Sequence, residues 1–203
     1  RPDTILASNT SVMPITEIMQ GLKHRERALG THWWNPPFLV PLVEVIGTQW
    51  TSQAAIDFTM KLHADAGKEP AHVKKDVPGF IGNRLQHALW REAVSLVERG
   101  ICDAETVDRV IKAAFGRRLA VLGPLENADL VGTDLTLAIH KTVLPDIEHR
   151  PGPSPYLERL VAEGKLGFKS GEGFRKWSAE EQAALRAKVL QHLKKAREND
   201  AKR

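Results

Sequence analysis

The chain has 203 residues, enough for one large domain or two small ones, and its 42% hydrophobic and 27% charged residues suit a packed core under an ordinary solvated surface. Much of the net charge of +4 comes from a C-terminal cluster (Lys188, Lys194, Lys195, Arg197, Lys202 and Arg203), and no basic stripe is interleaved with aromatic residues, which argues against a nucleic-acid partner. The single cysteine, Cys102, rules out an internal disulfide and fits a reducing, cytoplasmic compartment, and no apolar run approaches the roughly 18 residues of a membrane helix.

In chain order, residues 4–8 read as a buried strand that runs into a polar turn. Residues 11–20 read as a helix, with Pro14 in its first turn and Ile15, Ile18 and Met19 behind it. Residues 27–32 and the β-branched run 39–46 read as two further strands. Residues 51–67 are expected to form a helix capped by Thr51 or Ser52, with Ala54, Ala55, Phe58, Leu62 and Ala66 at helical spacing. Residues 69–74 are expected to return as a strand. Such strand–helix alternation marks part of an α/β sheet.

From Pro78 the texture changes. Apolar residues recur at helical spacing over 83–98. A second helix spans 104–115, N-capped by Asp103 and stopped at Gly116. A long amphipathic pattern covers 125–144 with Gly132 inside it. A helix over 154–163 is closed by Gly164, and a charged one spans 179–195. The reading is therefore α/β followed by all-α, divided into residues 1–76 and 77–203. The Pro-rich stretch 149–155 is a linker inside the helical part.

Four places carry candidate chemistry. His32, ending a strand, and Glu44, inside an apolar run twelve positions later, are a proton-exchanging imidazole and a carboxylate able to hold its tautomer. The same Glu44 also reads as a side chain facing water. Asn9-Thr10-Ser11 follows the first strand with turn residues and hydroxyls, and an ordinary N-cap by Thr10 or Ser11 would explain it. Asn83 opens the long helix as a cap or as a polar group in a cleft. The loop 164–174 is glycine-rich but lacks the Walker spacing, so a structural turn explains it. No G-x-G-x-x-G, no H-E-x-x-H and no metal-ligand spacing among the eight histidines occurs.

Six motifs in order change the weight of these readings: Ile5-Leu-Ala-Ser-Asn-Thr-Ser11, Gly30-Thr-His-Trp-Trp-Asn-Pro-Pro37, Leu42-Val-Glu-Val-Ile46, Asp76-Val-Pro-Gly-Phe-Ile-Gly-Asn-Arg84, Gly123-Pro-Leu-Glu126 and Gly167-Phe-Lys-Ser-Gly-Glu-Gly-Phe174. With these the chain resembles the 3-hydroxyacyl-CoA dehydrogenase family over about residues 4–177. The resemblance implies the later part of an NAD-binding Rossmann domain followed by a helical domain that makes a homodimer. It implies hydride transfer between NAD and a 3-hydroxyacyl substrate. His32 matches the family's catalytic histidine, Glu44 its acidic partner, Ser11 a serine that places the substrate oxygen, and Asn83 an asparagine that supports the site. Asn9, Ser11 and His32 fall on the cofactor side.

Two departures qualify this. The glycine fingerprint and the ribose-binding acidic residue of the family are not among these residues, and the chain opens on Arg-Pro-Asp, so an upstream segment is expected to be missing and the sheet to have a bare, aggregation-prone edge. The stretch Trp33-Trp34-Asn35-Pro36-Pro37 with Pro41-Leu-Val-Glu44 is closer to relatives that act on sugar acids or carnitine, without CoA. A non-catalytic dimerisation fragment is the reading from another class. Without a pyrophosphate-binding turn the isolated 203-residue chain is expected to be inactive and to bind NAD weakly. Titration calorimetry with NADH should give no clear isotherm.

Overall fold

The structure, a computed structural model, describes residue 1 and residues 3–200; Lys202 and Arg203 of the basic cluster lie outside the described residues. The chain forms two compact units, one of Arg1–His87 with Ala184–Arg203, the other of Ala88–Ala183.

The first unit is built on a four-stranded sheet in the order β1 (Leu6–Ser8), β2 (Ala28–Trp33), β3 (Leu42–Gly47), β4 (Glu69–Val73). β1 and β2 are parallel, as are β3 and β4, while β2 and β3 are antiparallel. Helices α1 (Ile15–Met19) and α2 (Gln53–Asp65) occupy the crossovers of the two parallel pairs. Residues 34–41 between β2 and β3 leave no room for a crossover helix, so that pair must reverse direction. All four strands fall where the sequence places them. β1 pairs only with β2, so its other edge is bare among the described residues, and Leu6 is 39% exposed.

Alternation along the strands sorts side chains between two faces. Gly30 faces Ile15 and Ile46, so close that a methyl group there would overlap Ile15. Ile15, Met19, Ala28, Ile46, Val73 and Phe80 form the core cluster on that side. The opposite face carries Gly47 against Ile56, and Trp33 with its ring 5.1 Å from His63 of α2.

Three helices depart from the expected pattern. α1 starts only at Ile15, because proline disfavours helical geometry in the residue before it; Ser11–Met13 form a bend and Pro14 is the N-cap position. α2 is capped by Ser52, whose Oγ accepts from the Ala55 amide, but it buries Ala55, Ile56, Thr59 and His63, while Phe58 and Leu62 are 58% and 52% exposed. Two stripes on this helix have apolar spacing, and the sheet takes the one where the Thr59 hydroxyl satisfies itself on the Ala55 carbonyl, 2.8 Å away. The long pattern over 125–144 is two helices, α5 (Pro124–Val131) and α6 (Thr133–Val143), broken where Gly132 takes a positive φ of 98° that a non-glycine residue rarely adopts.

The other helices are α3 (Gly82–Glu98), α4 (Ala104–Ala113), α7 (Pro155–Ala162) and α8 (Ala179–Asp200). Asp103 and Ser154 cap α4 and α7 with their side chains. In the second unit Arg150 joins Glu98 and Glu148, and its hydrogen bonds hold the Glu148 carboxyl down at about 2. Among the described residues no helix is long and apolar enough to cross a membrane.

His63 is buried against Trp33 and near Lys68, and burial first, the lysine second, holds its pKa below the ordinary 6.5. The folded chain thus keeps this ring neutral where the unfolded chain already binds a proton. Its contribution to stability is full above about pH 6.5 and is lost as pH falls towards the folded value. Urea unfolding at pH 7.5 and 5.5 should show a smaller acid-side loss in His63→Gln than in the parent chain.

Candidate active site

β3 presents Val43 and Val45 to one face and Glu44 and Ile46 to the other. The Glu44 side chain is 1% exposed, and a carboxylate so placed is costly unless every lone pair finds a donor. The antiparallel register sets His32 directly opposite, and His32 Nδ1 lies 2.7 Å from Glu44 Oε2. The other oxygen, Oε1, accepts from the Ile81 amide at 2.9 Å and the Gly82 amide at 3.0 Å. These amides are available because the first N–H groups of a helix have no partner within it, and α3 begins here.

The turn that aims them is Gly79-Phe80, both at positive φ (75° and 53°). For phenylalanine this geometry costs about 1–2 kcal/mol, which the burial of its ring in the core offsets. A carboxylate only accepts, so Nδ1 carries the proton, and in the neutral ring Nε2 keeps its lone pair. Trp34 and Phe80 flank the imidazole with ring centroids at 5.4 and 5.6 Å.

The same helix start holds the loop after β1. Asn83 Nδ2 donates to the Ser11 carbonyl at 2.7 Å, the Gly79 amide donates to the Val12 carbonyl at 3.0 Å, and Asp76 Oδ2 accepts from the Thr16 amide at 2.7 Å. Asn83 lies in the first turn of α3 and does not cap it, and neither Thr10 nor Ser11 caps α1. The helix start needs no cap there because Glu44 takes its amides, and Asp76, sixty residues on, does the same for α1. Ser11 is exposed, and its hydroxyl has no hydrogen bond among the described residues. Asn9 is exposed just beyond the end of β1.

Residues 79–83 therefore gather His32, Glu44, Asn83 and the Ser11 backbone on one short stretch. Sequence spacing did not reveal the Ile81 and Gly82 amides or Asp76. Pro-Gly before a helix start was the one visible signal of a special turn. The glycine-rich 164–174 is a turn closed by the bridges Gly167–Glu172 and Glu172–Lys176. No cluster of metal-ligating side chains occurs among the described residues.

Comparison with known proteins shows the family. The sequence model "3-hydroxyacyl-CoA dehydrogenase, NAD binding domain" matches residues 1–77, and "3-hydroxyacyl-CoA dehydrogenase, C-terminal domain" matches residues 79–177. The chain belongs to the 3-hydroxyacyl-CoA dehydrogenase family. It is 38% identical over 191 residues to the 5-formyl-3-hydroxy-2-methylpyridine 4-carboxylate 5-dehydrogenase of Mesorhizobium japonicum, covering 94% of this chain and 62% of that one. It is 41% identical over 178 residues to the mitochondrial hydroxyacyl-coenzyme A dehydrogenase of Homo sapiens, covering 86% and 55%. A crystal structure of a 5-formyl-3-hydroxy-2-methylpyridine 4-carboxylic acid 5-dehydrogenase, described as an NAD+ dependent dismutase, superposes with a TM-score of 0.93 at 38% identity, over 97% of this chain and 64% of that one. The chain thus spans a little over half the length of the relatives it matches. Residues 1–77 are the part that matches an NAD-binding domain, and NAD is its cofactor.

The residues present fit the reacting side of that cofactor. Ligands of such sheets gather beyond the carboxyl ends of the strands, where Asn9, the open Ser11 hydroxyl and His32 stand. Replacing Glu44 by Ala would strand three donors, the buried His32 Nδ1 and two part-buried amides, and should cost about 3–5 kcal/mol in urea unfolding; Glu44→Gln, which keeps an acceptor for the helix amides, should cost less.

Proposed function

We propose that this chain, extended to the length of its relatives, catalyses NAD-dependent hydride transfer between a 3-hydroxyacyl-CoA and its 3-ketoacyl-CoA, with residues 1–76 on the cofactor side and 77–203 as the helical domain. The observation that carries this is the buried His32–Glu44 pair, whose second carboxylate oxygen is fixed by the start of α3. In the oxidising direction His32 Nε2 takes the hydroxyl proton while NAD accepts the C–H hydride. Glu44 stabilises the imidazolium that results and keeps the ring in one orientation. Ser11 positions the substrate oxygen, Asn83 holds the loop that carries Ser11, and Asn9 contacts the cofactor. The apolar surface of the second unit, where Leu125, Leu130 and Val121 are 80%, 73% and 72% exposed, supports a homodimer formed through the helical domain.

A second reading, a substrate without CoA, is favoured by the likeness to the pyridine-carboxylate dehydrogenase over 94% of the chain and by Trp33-Trp34-Asn35-Pro36-Pro37. NADH oxidation by the chain extended to the length of its relatives, with acetoacetyl-CoA or acetoacetate, separates the two. Turnover of the thioester, falling by roughly 10²–10⁴-fold in His32→Ala, is the expected result. Turnover of the free acid alone selects the second reading. An unchanged rate in His32→Ala would remove the assigned base.

A further inference from the structure

We infer that the indole N–H of Trp34 is a substrate-recognising donor beside the base, taking an oxygen of the substrate other than the reacting hydroxyl, such as the carbonyl of a 3-hydroxyacyl group. The inference rests on the reading of His32 as the base. Trp34 follows β2, two positions after His32 and so on its face of the sheet, with the two rings 5.4 Å apart. Its Nε1 is buried and has no hydrogen-bond partner among the described residues. An indole N–H only donates, and a buried tryptophan ordinarily finds an acceptor for it. Phenylalanine would fill much of the same space without an orphaned polar group.

The packing shows that this ring is fitted closely. A methyl group on Gly82 would overlap the benzo edge of Trp34, so the helix start has a glycine where the indole lies against it. The amide of that same Gly82 donates to Glu44, which joins the indole, the carboxylate and the imidazole into one packed layer. His32 itself is only 3% exposed. With the two rings 5.4 Å apart, a substrate that brings its hydroxyl to Nε2 comes within reach of the Trp34 N–H. The donor then meets the next oxygen of the substrate. A site that waits with an unpaired donor discriminates strongly against compounds lacking the matching acceptor.

The test is Trp34→Phe in the same extended chain, assayed on whichever of 3-hydroxybutyryl-CoA and 3-hydroxybutyrate the parent oxidises. The expected result is a roughly 5- to 150-fold fall in kcat/KM, with the pH profile unmoved and the melting temperature equal to or above the parent's, because an orphaned donor is gone. A kcat/KM within about twofold of the parent's, or a fall accompanied by a lower melting temperature, shows a packing role and overturns the inference. If the parent oxidises neither compound, the proposed reaction fails, and the donor is judged by ¹⁵N-indole resonances. The Trp34 signal, identified by its loss in Trp34→Phe, should shift when either compound is added; a signal that neither compound moves overturns the inference.

Discussion

A carboxylate buried in the middle of a strand organises this molecule. Glu44 has water on no side, and in a medium of low dielectric an ionised side chain persists only where donors surround it. It draws those donors from two places that share no sequence neighbourhood, the β2 strand and the beginning of α3. The sheet and that helix start are thereby tied through a single side chain. The imidazole is oriented by the same bonds that satisfy the charge, so what stabilises the fold also fixes the ring.

The direction of one strand pair makes this possible. The short connection 34–41 forces β2 and β3 to run antiparallel, which puts residues 32 and 44 in register. A crossover helix at that point would give a parallel pair and a different partner for His32. The strained Phe80 is a second such condition. It turns the chain sharply enough to aim the Ile81 and Gly82 amides at Glu44, and it is held in that geometry because its ring is part of the core cluster. Local cost and global packing are settled together at one residue.

The strands were legible in the sequence because β-branched runs and turn residues report directly on local geometry. His32 and Glu44 could be paired as candidates, but a Glu44 that faces water fitted the same spacing of twelve, and the register decides between the two. The cap of α1 was hidden because it comes from Asp76, and no local pattern reports a partner sixty residues away. Helical spacing alone did not show which face of α2 is buried, since Phe58 and Leu62 satisfy it as well as Ile56 and His63 do, and the choice between stripes belongs to the sheet. Asn83 looked like a cap because position and residue type agreed with one, whereas its amide group is spent on the Ser11 carbonyl.

The contact between Gly82 and Trp34 imposes an order on how this site can change over evolutionary time. While tryptophan occupies position 34, a side chain at 82 overlaps it, so either the indole or the helix start whose amide donates to Glu44 must shift. A smaller ring at 34 removes the collision, so substitution at 34 opens position 82, and the reverse order is blocked. The coupling works as a ratchet, in which the aromatic residue beside His32 sets which helix starts are open to this chain.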